Sequence, residues 1–399
     1  MTIAPTAADH LVIGGGPAGS MAAIWLAAAG RDVVLIERER AARHKVCGEF
    51  LSCEAVHYLH QFGIDPRDLG AESIRALHLS SGNTVVTEQL PFQALSLSRR
   101  VLDEALLQHA RQAGCCVLRG AAVESVTLSG NIKPGAGGWT AVLANGAAIR
   151  AQTVFLATGK HDIHGFHRSP CRQSDLIGFK LYWQLDPAAI LALRGFMDLF
   201  LFPGGYGGLS LVENSAANLC LVVRRSVLRK LSGWPALLAS IRTANRHFGQ
   251  LLSGAQPLWP RPLAISPIPY GFLGPHPRGL WCIGDQAAVI PSFTGDGVSI
   301  ALHSAALAAE ACLAGADICT YNRALHTQLR RSMSIATWLS RAAVTNFGRI
   351  LATSALSLFP AAIETIARVT RIPQAALIDG VGIGVGVGTG EGAHARTRI

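Results

Sequence analysis

Three groups of residues in this 399-residue chain have types and spacings that carry chemistry. A glycine-rich turn, Gly14-x-Gly16-x-x-Gly19, is followed by Glu37 and Arg38, the pattern of a pyrophosphate cradle with a carboxylate for an adenosine ribose. Cys47 and Cys53 lie close enough in sequence to pose the question of a redox dithiol. His161, His164, His167 and Cys171, with Asp162 among them, have the spacing of metal ligands.

The neighbouring elements decide the first question. His10 to Ile13 read as a short buried strand, Met21 to Gly30 as an alanine-rich helix, and Asp32 to Glu39 as a second strand that ends in Glu37. In that order Gly14 makes the tight turn, Gly16 and Ala18 let the backbone approach a pyrophosphate, and Gly19 lets helix and strand pack closely. The helix N-terminus then offers free N–H groups and a positive dipole to the phosphates.

The other two questions are answered against chemistry. Nine cysteines form an odd number without Cys-x-x-Cys pairs, which argues for reduced, buried thiols rather than a disulfide framework or a zinc ribbon. Gly165, Ser169 and Pro170 break any helix that would align the histidines, so a polar crossover loop and no metal are expected there. His161, Asp162 and Cys47 are candidates for a catalytic role, and the sequence singles out none of them.

A second glycine-rich site lies far down the chain. A buried strand, Leu280 to Ile283, turns sharply at Gly284-Asp285, and after Pro291 the run Gly295 to Gly297 opens an alanine-rich helix. Asp285 is placed to accept from a ribityl hydroxyl, and the helix N-terminus is placed to stabilise negative charge on a reduced isoalloxazine. FAD needs such a second site and NAD does not.

Taken in order, these motifs resemble the flavoprotein family of para-hydroxybenzoate hydroxylase fold, near its geranylgeranyl reductase and flavin halogenase branch, over roughly residues 10 to 325. Arg99, Leu102 and Asp103 match the family's R-x-x-L-D helix start, which implies that Arg99 reaches the FAD. Cys47-Gly48 looks like the Cys-Gly pair that the reductases place near the isoalloxazine. Flavin disulfide reductases space their cysteines C-x4-C, whereas Cys47 and Cys53 are C-x5-C, so a dithiol centre is not expected.

The resemblance implies an α/β (α+β) fold in which a Rossmann-like FAD-binding domain (1–72, 99–165, 275–325) is interleaved with an antiparallel substrate sheet (73–98, 166–274). A C-terminal helical region (326–375) and a flexible glycine-rich tail (376–399) follow. Phe179, Tyr182, Phe200, Phe202 and Tyr206, on strands with β-type alternation, are expected to line the pocket for a hydrophobic or aromatic substrate.

Several family signatures are missing. The chain has no W-x-W-x-I-P segment of halogenases, no tryptophan and lysine around Phe202-Pro203 as in the reductases, and no second dinucleotide unit, so NAD(P)H would act as a transient reductant. The leading expectation is an FAD-dependent monooxygenase that hydroxylates an aromatic or polyketide-like substrate through a C4a-hydroperoxyflavin. The alternatives are a reductase of isoprenoid double bonds and a hydroxylase maturing a Tyr- or Trp-derived quinone cofactor on a partner protein.

The net charge of +10 and pI near 9.5 come from scattered single Arg and Lys residues, which excludes a nucleic-acid stripe. No signal-peptide pattern opens the chain, so a cytoplasmic location is expected. Residues 347–372 are too polar to span a bilayer but amphipathic enough to lie on one as a peripheral contact.

Overall fold

The computed structural model describes residues 5–129, 138–168, 173–274 and 279–380. Cys171 and the glycine-rich segment from 381 onward lie outside the described residues.

The chain builds two large sheets. In the first, the parallel strands Cys116–Arg119, Val33–Glu37, Ala7–Ile13 and Ala148–Leu156 lie side by side, and Trp281–Cys282 joins beyond Ala148–Leu156. Val33–Glu37 is buried at every position, as a parallel strand covered on both faces must be. The helices Pro17–Ala28, Arg99–Gln112 and Gly297–Leu313 share one continuous core on one side, including Met21, Leu26, Leu102, Leu106 and Leu302. Two antiparallel strands, Val123–Ser129 and Gly138–Leu143, extend the sheet's edge.

The second sheet is mixed. Gly195–Phe202 runs parallel to Glu72–Ser81 and antiparallel to Gly205–Leu211, which pairs with Ala217–Arg224, and that strand with Leu176–Gln184. Strand periodicity divides its residues strictly between faces. Phe179, Leu181, Trp183, Phe200, Phe202 and Leu209 form a core with Leu237, Ile241 and Phe248 of the helices Trp234–Ala244 and Arg246–Leu251. Leu77, Leu79, Met197 and Leu199 face the other way, toward the first sheet.

The C-terminal helices differ from expectation in two respects. Ile318–Ala343 is one continuous 26-residue helix, so the expected boundary at 325/326 falls inside it. Residues 376–380, expected in the flexible tail, pack on the helix Cys53–His60: Gln61 Nε2 donates to Ile378 O at 2.9 Å and Gly380 N–H to Gln61 Oε1 at 3.1 Å. Two further helices, Asn346–Leu358 and Ala362–Val369, form a pair bent by 114°. Among the described residues no single helix is long and apolar enough to cross a membrane.

Candidate active site

The glycine turn is built as its spacing requires. Gly14 has φ +111°, and a Cβ there would lie 2.4 Å from Ala157 O; a Cβ on Gly19 would lie 1.8 Å from Gly14 O. Only glycine permits that backbone contact. The helix Pro17–Ala28 begins with no side-chain cap and no acidic residue in its first turn, which leaves its N–H groups free for an anion. Glu37, buried at the strand end, accepts from Gly15 N–H (2.8 Å) and Glu39 N–H (2.9 Å), so its carboxylate is fixed at the mouth of the cradle.

Arg99 enters the same place from another element. Ser98 caps the helix Arg99–Gln112, and Asp103 one turn on binds the guanidinium through two bonds of 2.7 and 2.9 Å. That clamp leaves Arg99 Nη2 3.3 Å from where a Cβ on Gly16 would stand. The cradle and a fixed cation therefore converge, as an FAD pyrophosphate requires.

At the second glycine site Gly284 has φ +59° and packs against Ala18, and its N–H donates to Ser304 Oγ at 2.8 Å. Asp285 is not free, because Lys160 Nζ lies 2.8 Å from its carboxylate. Arg168, almost fully buried, holds this loop together by bonding Asp162 (2.7 Å), Lys160 O (2.6 Å) and Asp285 O (2.9 Å). Asp162 is thus committed to Arg168. Lys160 and Arg168 were missed, since a single Lys or Arg in a polar loop carries no sequence signal.

One cavity of about 640 Å³ joins all of this. Gly14, Gly16, Ala18, Glu37, Arg38 and Arg99 line one end, and Cys47, Gly48, His161, Gly284, Asp285, Gly295 and Gly297 line its middle. Pro291 lies between the lining residues Ile290 and Ser292. The far end is walled by Leu77, Leu79, Met197, Leu199, Ile363 and Ile366. Glycine stands where backbone meets the cavity and a cation meets the phosphate cradle, so the residues present fit FAD.

The expected aromatic pocket is corrected. Of the five residues named for it, Tyr206 alone lines the cavity; Phe179, Phe200 and Phe202 point to the opposite face of the sheet, into the helix-covered core. Tyr182 faces the cavity side but is spent on Glu49, its hydroxyl donating at 2.5 Å. The register that decides between faces is invisible until the strands pair, because a shift by one residue exchanges them.

The histidine loop does not gather. His161 lines the cavity, whereas His167 is exposed, 4.0 Å from Asp162. Among the described residues the one group with metal-ligand geometry is elsewhere: His78, Asp198 and His247, on the helix-covered face. There both carboxylate oxygens of Asp198 already hold an imidazole nitrogen, at 3.2 and 2.7 Å, which ties the helix Arg246–Leu251 to the sheet.

Arg371 is a further cavity residue that nothing in the sequence marked. It bonds Asp296 (2.6 Å) and Thr294 O (3.0 Å) and lies 4.4 Å from the centre of the Phe92 ring. His44, also on the wall, has its pKa lowered to about 4, first by burial and then by Lys180 and Arg100. Its ring packs between Tyr182 and Trp259.

Comparison with known proteins agrees with this geometry. The family model described as an FAD binding domain matches residues 7–133. The menaquinone reductase of Mycobacterium tuberculosis is 28% identical over 76% of this chain and 76% of its own length. Digeranylgeranylglycerophospholipid reductase 1 of Methanopyrus kandleri is 29% identical over 76% and 79%. Among solved structures, the myxobacterial chondrochloren halogenase CndH superposes with a TM-score of 0.73 at 20% identity, covering 92% of this chain and 91% of its own. The halogenase PltM in complex with FAD gives 0.66 at 14%, covering 92% and 87%. The chain is an FAD-dependent oxidoreductase with the fold shared by flavin-dependent halogenases and monooxygenases.

Proposed function

We propose that the protein reduces carbon–carbon double bonds in the isoprenoid chain of a lipid substrate, using FAD that a nicotinamide nucleotide reduces in a transient encounter. The observation that carries this reading is the cavity's far end. Leu77, Leu79, Met197, Leu199, Ile363 and Ile366 give it a broad aliphatic surface, with Tyr206, Tyr270 and Phe293 beside them, while Phe179, Phe200 and Phe202 lie on the other face of the sheet. A flexible prenyl chain matches such a surface. The relatives that align over three quarters of the chain are reductases, whereas the likeness to halogenases and a monooxygenase is one of fold and, for a halogenase of Armillaria mellea, of sequence over 31% of the chain.

The same reading accounts for the C-terminal helices. Ile363 and Ile366 wall the cavity, while Phe347, Leu358 and Phe359 of the adjoining bent pair are exposed at 78%, 75% and 68%. An exposed apolar face in a chain of net charge +10 suits the surface of an anionic bilayer from which a lipid chain enters.

Reduced FAD supplies two electrons as a hydride, and one proton completes the addition of two hydrogens across the double bond. The chain's residues bind and exclude: the two glycine sites and Arg99 hold the cofactor, and the aliphatic walls keep water from the reacting bond. The test is anaerobic. The photoreduced protein is mixed with geranylgeranyl diphosphate or a menaquinone in liposomes, and products are weighed by mass spectrometry. A gain of two mass units per turnover, matched by flavin reoxidation and retained after air has reoxidised any quinol, is expected. No reaction with either lipid, together with oxygen-dependent gain of sixteen units on a phenolic substrate, would return the reading to hydroxylation.

A further inference from the structure

Glu49 is placed where a charged residue is costly. Its backbone has φ +59°, in the left-handed region that favours glycine, and its side chain is fully buried. The strain is held by bonds on every side. Its peptide N–H donates to Cys47 Sγ (3.3 Å), and its carbonyl accepts from Leu97 N–H (3.1 Å) and Ser96 Oγ (3.3 Å). The carboxylate accepts from the Arg99 peptide N–H (2.6 Å) and the Tyr182 hydroxyl (2.5 Å) and forms an ion pair with Lys180.

Lys180 is as deeply buried as Glu49, and Glu49 is its charge partner. Neither charge is tolerable alone in that position, since removing one partner strands the other without water. Asn218 closes the arrangement by donating to Cys47 O (3.2 Å) and Gly48 O (3.0 Å). Lys180, Tyr182 and Asn218 come from the second sheet, whereas Arg99 starts a helix packed on the first. The Cys47–Gly48 cavity wall is therefore suspended between the two sheets, and Glu49 is the residue bonded to both.

We propose that Glu49, neutralised by Lys180, is a positioning residue for the flavin: it acts through the Cys47–Gly48 wall and through Arg99, and sets both cofactor affinity and the ring's surroundings. This rests on the FAD reading and is independent of which substrate the enzyme takes.

The test uses Glu49→Gln, Lys180→Met, the double variant and Tyr182→Phe in the full chain. Three quantities are read: FAD affinity by fluorescence titration of apoprotein, the visible spectrum of bound flavin, and the rate at which iodoacetamide alkylates Cys47 in apoprotein, located by peptide mass mapping. Each single charge variant is expected to weaken FAD at least about tenfold, shift the long-wavelength flavin band and speed Cys47 alkylation. The double variant recovers most of all three, because no unpaired charge is left buried. Tyr182→Phe, which keeps the ion pair, shifts the same readouts less. If a single charge variant does not fold, the double variant and Tyr182→Phe carry the comparison. Wild-type values in Tyr182→Phe and both charge variants, or losses that simply add in the double variant, would overturn the proposal. Because alkylation is read without cofactor, a failure of FAD to bind the wild-type chain is told apart from a failure of Glu49 to hold the wall.

Discussion

Arg371 Nη1, half-buried, lies 2.6 Å from Oδ1 of the buried Asp296, so a residue beyond the last long helix is locked to the loop that opens the second glycine site. Burial lifts the Asp296 carboxyl to about 6, and Arg371 opposes the shift. Arg371→Met should strand that carboxylate and cost about 3–5 kcal/mol in urea unfolding, with Arg371→Met/Asp296→Asn recovering part of it. Losses of Arg371→Met and Asp296→Asn that simply add in the double variant would show that the pair does not couple.

The strand alternation predicts opposite outcomes for adjacent residues. Leu199→Trp places a large ring in the aliphatic end of the cavity and should abolish turnover of a lipid substrate while FAD still binds. Phe200→Ala, on the other face against Phe248, should cost about 3–5 kcal/mol in stability with FAD affinity unchanged in the folded fraction. Turnover assays and denaturant titration of the two variants separate these effects.

His44 gives the stability a pH signature. Its folded pKa near 4 lies below the ordinary 6.5, so the unfolded chain binds more protons between those values. The contribution of this group to stability is therefore full above pH 6.5 and is lost as the pH falls toward 4. His44→Gln should make the decline of melting temperature across that window shallower, measured by fluorimetry in matched buffers; an unchanged slope would remove His44 as the cause.

The exposed apolar helices predict a lipid dependence. Phe347→Ser/Leu358→Ser/Phe359→Ser should lower co-flotation with anionic liposomes at least about tenfold and leave the flavin spectrum intact. Neutral liposomes should bind the wild-type protein less, because the net charge of +10 no longer meets opposite charge.

What sequence alone determined is the part of the site made of local geometry. Gly14 and Gly19 are legible because a Cβ there would lie 2.4 and 1.8 Å from a backbone oxygen, Gly16 because it faces the Arg99 guanidinium across the cradle, and Glu37 because it ends the strand that follows the helix. The second glycine site is legible for the same reason, a contiguous run whose turn dictates its residues, whereas Arg99 is marked by the resemblance to the family's R-x-x-L-D helix start. Pairing in space was not legible. Phe200 and Leu199 are neighbours in a strand that is apolar on both faces apart from Asp198, and only sheet register sends one to the core and the other to the cavity. Glu49, Lys180 and Arg371 are isolated charges along the chain, and tertiary packing alone brings each to its counter-charge, since a buried ion pair joins residues that the sequence holds far apart.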